Sequence, residues 1–373
     1  ANRVIMCSHK SNSIHIAIGK TIVHCIIFMK RSLNKIEKRS RAVFYEKLRC
    51  RFIKELMNKK IKFQQPKHFP QTVYNFKNNP QTIAGIELGR KLFYETQLSR
   101  DNSISCATCH LQYSGFTHVD HAVSHGIDGR IGTRNSPVLI NLAWNTNFHW
   151  DGGVNSLDAQ FLNPIQHPAE MDNTLQEVID RLSRSNYYPN QFKKAFGSET
   201  ITTPLLMKAL SQFVLTFVSV NSKYDKMLRK EKDGAFTEQE LNGYRIFQSN
   251  CTSCHKEPLL TNTFFASNNL PIDTAFNDLG RFSITKNPSD SFLFKIPTLR
   301  NIEFSYPYMH DGRFSKLKDV INYYSDNVSG QKRENHITAP MHFSEHQKKD
   351  LLAFLLTLTD KEFLYNQKFS FPK

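Results

Sequence analysis

The chain has 373 residues, of which 39% are hydrophobic and 22% charged, with seven cysteines and a formal net charge of +16. Its length suits two to three domains with cores of their own. The basicity is local, since residues 1–68 carry 17 Lys and Arg against 3 acids while residues 69–373 carry 32 against 30. A short basic arm on a near-neutral body lacks the basic face expected of a nucleic-acid binder, so nucleic acid is excluded as a partner. Four of the seven cysteines stand in two short motifs and the others, Cys7, Cys25 and Cys50, lie in the arm, which excludes a disulfide framework for the body.

The first 68 residues read as an irregular extension. Ile14 to Met29 is apolar but is interrupted by Lys20 and His24, is followed by its strongest positive cluster, and has no small-residue cleavage site. It is short and polar for a membrane span. A membrane anchor and a mis-assigned start, the latter suggested by Ala1 in place of Met, are both open. Order is expected from near His68, where Pro66, Pro70 and Pro80 bracket an extended entry. Gly85 to Phe93 reads as a short helix, followed closely by Cys106-Ala107-Thr108-Cys109-His110. Residues 114–155, rich in Gly, Asn, Asp and Pro, predict long loops. Helical periodicity returns over Thr174 to Arg184 and Pro204 to Tyr224, and Arg229 to Gly234 reads as a solvated linker. Thr237, with acids close behind it, caps a predicted helix running into Cys251-Thr252-Ser253-Cys254-His255. Residues 258–310 are again loop-rich, Ser344 to Leu358 predicts a final long helix, and strand signals are sparse.

Cys-x-x-Cys-His is the attachment pattern of a c-type haem: two thiols join the porphyrin and the adjacent imidazole ligates iron. Cys106, Cys109 and His110 would hold one haem, and Cys251, Cys254 and His255 a second. Zinc ribbons keep their Cys pairs within about twenty residues, whereas 141 residues separate these pairs and each carries a trailing His. Covalent haem attachment takes place outside the bacterial cytoplasm, so the motifs imply a periplasmic or externally facing protein. The fold class expected is mainly α, as two cytochrome c-like haem domains with long loops and the haems near the domain interface. The domains are set at 69–228 and 229–373, after the extension 1–68.

Beyond the motifs, residues 69–373 resemble the bacterial di-haem cytochrome c peroxidase superfamily, which includes the MauG-like proteins. The resemblance is carried by Leu88-Gly89-Arg90-Lys91-Leu92-Phe93, Arg134-Asn135-Ser136-Pro137, Trp150-Asp151-Gly152, Pro168-Ala169-Glu170-Met171, Pro297-Thr298-Leu299-Arg300-Asn301 and Pro307-Tyr308-Met309-His310-Asp311-Gly312. It implies that the first haem is the peroxide site, that the second stores an electron, and that a calcium ion lies between them.

Residue by residue, the resemblance makes Gln160 and Glu170, ten apart with Pro164 between them, the distal acid-base pair that assists peroxide cleavage. Outside that resemblance, Glu170 reads as an ordinary helix-entry acid. Trp150 would lie between the haems, or simply pack in the core. His125 stands where some members carry a loop ligand to the first haem, although its context is closer to the open MauG-like loop; His118 and His121 are weaker candidates. Counting nineteen residues from Ser305 reaches Tyr324, the position where MauG-like proteins ligate the second haem with tyrosine and peroxidases use methionine. An anionic phenolate favours ferric iron, a thioether ferrous iron. The other reading lets Tyr324 pack while Met309 or Met341 ligates. Calcium would take the Asn135 side-chain oxygen and the carbonyls of Ser305 and Pro307, residues that otherwise read as turn formers.

The function expected is a di-haem oxidoreductase that reacts with hydrogen peroxide at the first haem. Oxidising equivalents would pass through Trp150 to a Tyr324-ligated second haem. Electrons would come from a small donor, a cytochrome c or a cupredoxin, or from a protein substrate. The alternatives are a non-catalytic di-haem electron carrier and a haem sensor. Membrane anchoring and a homodimer are left open.

Overall fold

A computed structural model describes residues 45–49, 57–328, 337 and 339–372. Both Cys-x-x-Cys-His motifs lie in one compact unit, Lys60–Lys373. The preceding residues form a separate unit. The apolar stretch Ile14 to Met29, the proposed anchor, the start of the chain and Cys7, Cys25 and Cys50 lie outside the described residues.

The fold is mainly α, with long loops between the helices. Helix α1 (Ile83–Phe93) begins where the Thr82 hydroxyl accepts from the Gly85 amide at 2.9 Å, and it buries Leu88, Leu92 and Phe93 on one face. The first haem motif forms the short helix α2 (Cys106–Cys109). Residues 114–155 contain only short 3-10 turns, and α3 (Leu157–Gln160) and α4 (Leu162–Gln166) follow. Then come α5 (Leu175–Arg184), capped by Thr174, α6 (Tyr188–Phe196) and α7 (Thr203–Val214).

The helix expected over Pro204 to Tyr224 stops at Val214 and restarts as α8 (Lys223–Leu228). Two long-range captures end it. The Asn141 side chain exchanges bonds with the Ser219 amide and carbonyl at 2.9 and 3.1 Å. Asp360 Oδ2 accepts from the amides of Val220 and Asn221, each at 2.9 Å. The intervening run, rich in β-branched residues and Ser, competes poorly as helix against these partners.

Helix α9 (Glu238–Asn250) starts from a capping box between Thr237 and Glu240 and delivers Cys251 at its C-terminus. Two two-residue strands, β1 (Phe265–Ala266) and β2 (Phe294–Lys295), pair antiparallel around the turn α10 (Phe282–Thr285). Next are α11 (Leu317–Asn322), a π-helical turn at Tyr323–Asn327, α12 (Glu345–Leu356) and α13 (Lys361–Leu364).

Two hydrophobic clusters organise these elements. The first gathers α1, α5, α6 and α7 with Phe116 and Trp144, and takes Phe363, Leu364 and Phe369 from the C-terminal end of the chain. The second gathers Tyr224, Phe247, Ile321 and Phe354 from α8, α9, α11 and α12. Each haem-bearing segment uses the same device. The helix before the motif lies against a partner helix through a glycine: a Cβ on Gly89 of α1 would meet the Ala209 carbonyl at 2.0 Å, and one on Gly243 of α9 the Asp350 carbonyl at 1.9 Å. Only glycine permits backbones that close.

Candidate haem and peroxide site

In the first motif, the single turn of α2 places Cys106 and Cys109 three residues apart on one side, with the Thr108 hydroxyl accepting from the Ser105 amide at 3.1 Å. The chain then turns back so that Leu111 bridges Thr117, and the Phe116 carbonyl accepts from His110 Nδ1 at 2.7 Å. His255 is held alike, its Nδ1 donating to the Leu260 carbonyl at 3.2 Å. Phe116 and Leu260 are both fully buried and both adopt positive φ, 61° and 56°. Fixing Nδ1–H on a carbonyl leaves Nε2 free for a metal and sets the plane of the ring. Burial pushes both imidazoles down to about 4, so both are neutral at physiological pH, as ligation requires. None of the four motif cysteines is engaged in a disulfide, and burial pushes the Cys106 and Cys251 thiols up to about 12. The residues therefore fit two covalently attached haems.

Glu170 lies within electrostatic reach of the first motif. Its charge reaches the thiols of Cys106 and Cys109, and its carbonyl accepts from Ile127 at 2.8 Å. Burial raises its carboxyl above the ordinary range, opposed by nearby His167. Gln160, at the end of α3, has a buried Oε1 with no hydrogen-bond partner.

The loop carrying His125 packs against Glu170 through Gly126, where a Cβ would meet the Ala169 carbonyl at 2.2 Å and Glu170 Cα at 2.6 Å. Gly126→Ala must therefore shift the backbone that carries Glu170. The expected results are a loss of about 1–3 kcal/mol in stability and slower reaction with peroxide, checked by urea unfolding and rapid mixing. Unchanged values in both would show that the contact does not position Glu170.

The His125 carbonyl accepts from the Cys109 thiol at 3.5 Å, and its ring stacks on exposed His121 at 3.9 Å with 9° between planes. His118 is buried with no partner for Nδ1.

Trp150 Nε1 donates to the Asn135 carbonyl at 2.8 Å, and the Trp150 carbonyl accepts from Lys295 at 2.6 Å. Trp150 thus ties Asn135 to β2. Beside it, Arg134 is clamped between Asp151 and Asp278, meeting Asp278 at 2.6 and 2.8 Å. The Asn135 side-chain amide meets the Pro307 carbonyl, and its Oδ1 is buried without a partner. A hard cation would satisfy the orphaned Oδ1, so the Asn135 side-chain oxygen fits calcium. No cluster of three His, Cys, Asp or Glu side chains with metal-binding geometry occurs among the described residues, so such an ion would rest on amide and main-chain oxygens.

Tyr324 lies in the π-helical turn, a geometry common at functional sites. Its hydroxyl accepts from Asn268 Nδ2 at 3.2 Å, and the same amide reaches Met309 Sδ at 3.3 Å. The Met341 amide donates to the Tyr324 carbonyl at 3.0 Å. The Tyr324 hydroxyl and the Met309 sulfur thus meet at Asn268, while Met341 is tied to Tyr324 through the backbone. Burial pushes the Tyr324 phenol up to about 12, and Cys254 and Cys251 lie near enough to add to that shift, so Tyr324 is close to the second motif. Asn268, the Phe116 and Leu260 carbonyls, Gly126 and Lys295 were not singled out by sequence reasoning. The His-Gly step at 125–126 was the one local signal among them.

Two half-buried, carbonyl-anchored Cys-x-x-Cys-His sites in a helical frame define a di-haem c-type cytochrome. The family model described as di-haem cytochrome c peroxidase matches residues 83–233, and the cytochrome c model matches 241–359. The chain is 34% identical over 285 residues to cytochrome c551 peroxidase of Nitrosomonas europaea, covering 75% of this chain and 81% of that one. It is 35% identical over 307 residues to the methylamine utilization protein MauG of Methylorubrum extorquens, covering 80% and 84%. Among solved structures, a MauG-like protein associated with microbial copper homeostasis matches with TM-score 0.75 and 30% identity, covering 84% of this chain and 99% of that one. The di-haem peroxidase BthA of Burkholderia thailandensis shares the fold, with TM-score 0.67 and 20% identity over 79% and 91% of the two chains. The chain belongs to the di-haem cytochrome c peroxidase and MauG family. It is thereby a peroxidase-type oxidoreductase with two covalently bound c-type haems.

Proposed function

We propose that the protein is a periplasmic di-haem peroxidase in which hydrogen peroxide reacts at the haem of residues 69–228 and oxidising equivalents reach the haem of residues 229–373. When bound, the first haem supplies the iron that takes peroxide and the electrons that reduce it. Glu170 takes a proton from the entering peroxide and returns it to the leaving oxygen, so that water departs rather than hydroxide. Its raised carboxyl suits both halves of that exchange. Gln160 turns its unpartnered Oε1 to the same small molecule as a hydrogen-bond acceptor. That the charge of Glu170 is felt by the Cys106 and Cys109 thiols is the observation that supports this reading.

Trp150 joins the two halves through Asn135 and Lys295, which suits it to relay electrons between them. Calcium held by Asn135, Ser305 and Pro307 would fix the same junction. Tyr324, whose hydroxyl accepts from Asn268, would ligate the iron of the second haem in this reading. A phenolate there favours oxidised iron and the MauG-like variant of the chemistry, in which another protein is oxidised. A small cytochrome c or cupredoxin donor would serve the peroxide-reducing variant. No helix among the described residues is long and apolar enough to cross a membrane.

Rapid mixing of the haem-loaded protein with hydrogen peroxide tests the proposal. A fast absorbance change at the first haem, followed by recovery on adding a reduced donor, is expected. A pure electron carrier or a sensor would show neither.

A further inference from the structure

The carbonyl that holds His110 belongs to a residue whose conformation must be imposed on it. Phe116 has a φ of 61°, a region that a bulky side chain avoids and keeps only where its surroundings enforce it. Its carbonyl accepts from His110 Nδ1 at 2.7 Å, with no second donor among the described residues. The surroundings are four aromatic rings. Phe217 stacks on the fully buried Phe116 ring at 3.9 Å with 10° between planes, and Phe93, Phe363 and Phe369 meet it steeply at 6.0, 5.9 and 6.2 Å. Phe93 and Phe217 belong to the first half of the chain, whereas Phe363 and Phe369 come from the segment beyond α12.

That segment is tied down along its length. Gln112 Nε2, two residues after His110, donates to the Asn366 carbonyl at 2.8 Å, and the Tyr94 hydroxyl donates to the Phe369 carbonyl at 2.8 Å. Arg90 of α1 donates through Nε to the Ser370 carbonyl at 2.7 Å and through Nη2 to the Gln367 carbonyl at 3.2 Å. The second motif is held differently. The Leu260 carbonyl, which accepts from His255 Nδ1 at 3.2 Å, also accepts from the Leu299 amide at 3.3 Å, and the buried members of the cluster around Leu260 end at Leu358. The C-terminal segment therefore bears on one haem site and not on the other.

We infer that residues 361–372 form a strap that holds the Phe116 carbonyl against His110 and so sets the reduction potential of the first haem, with Phe369 and Tyr94 as positioning residues. The inference rests on the di-haem reading. A carbonyl accepting from Nδ1–H makes the imidazole a stronger donor to iron, and a stronger donor favours the ferric state. Slackening the strap lets the Phe116 carbonyl turn away, weakens that bond and moves the first haem toward ferrous iron.

The test is spectroelectrochemistry of the haem-loaded Phe369→Ala and Tyr94→Phe proteins beside wild type, with bound haem counted first and the two haems told apart by their spectra. Phe369→Ala removes one ring of the cage, and Tyr94→Phe releases the Phe369 carbonyl while leaving the charge of the protein unchanged. In Phe369→Ala the ferric-to-ferrous equilibrium of the first haem should move toward ferrous by about three- to tenfold, the worth of one hydrogen bond. Tyr94→Phe should move it the same way by a smaller amount, and the second haem should stay at its wild-type value in both. Should Phe369→Ala not fold, Tyr94→Phe decides alone. A first haem left unmoved, or two haems that shift alike, would overturn the inference alone. A wild-type chain that takes up no haem would overturn the di-haem reading with it.

Discussion

Glu170→Gln is expected to slow the reaction with hydrogen peroxide by about 10²–10⁴-fold while both haems remain attached. The substitution preserves shape and removes the proton carrier. Glu170 reaches the first motif through its charge on Cys106 and Cys109, and its backbone is fixed by Ile127 and by close contact with Gly126, so the change need not disturb its position. Because the raised carboxyl is set first by burial, the wild-type rate should depend on pH above the ordinary carboxylate range. That dependence should vanish in the variant. Rapid mixing across pH checks both statements, and a variant that keeps the wild-type rate would return the protein to the carrier or sensor reading.

The second large effect is on stability. Arg300 meets Asp225 through two bonds of 2.8 Å, and neither side chain is exposed. The same guanidinium donates to the carbonyls of Ser219 and Pro258 and lies 4.8 Å from the Phe69 ring. It thereby joins the entry segment, the link between α7 and α8, and the loop after the second motif. Arg300→Ala leaves Asp225 buried with only His68 and its local Ser222 contacts, and should cost about 3–5 kcal/mol. Denaturant unfolding measures this, and a loss below 1 kcal/mol would show that the pair is not a structural joint. Burial would raise the Asp225 carboxyl, but its bonds with His68 and Arg300 outweigh that and hold it well below the ordinary range. The sign follows: the contribution is complete above about pH 4, the unfolded carboxylate value, and is lost only as pH falls through the depressed folded value.

How much of this could be read in the sequence depended on whether the determinant was local. The haem motifs, and the caps Thr174, Thr237 and Ser344 with the helices behind them, act within a few residues, and their spacing alone locates them. The break after Val214 could not be read because Asn141 and Asp360, distant in the chain, supply the competing partners. The same holds for Asn268 at Tyr324 and for Lys295 at Trp150: neither stands in a pattern of its own, and both acquire meaning from loops brought together by the fold. The C-terminal residues Phe363 and Phe369 join the first cluster for a similar reason, since an amphipathic end does not announce which core it will cover. Glu170 lies between these cases. Its own surroundings in sequence suit a helix-entry acid, and its close approach to the loop at Gly126 is made only in the fold.

In the proposed function, two chemically distinct haem sites act in sequence, one open to peroxide and one ligated by Tyr324. The most direct measurement is the electronic and EPR spectrum of the haem-loaded protein, as isolated and after one equivalent of hydrogen peroxide, beside Tyr324→Met. Expected are a high-spin first haem, a low-spin second haem whose signal changes in the variant, and a long-lived spectral change in the wild type after peroxide. Two low-spin haems, indifferent both to peroxide and to the substitution, would contradict it.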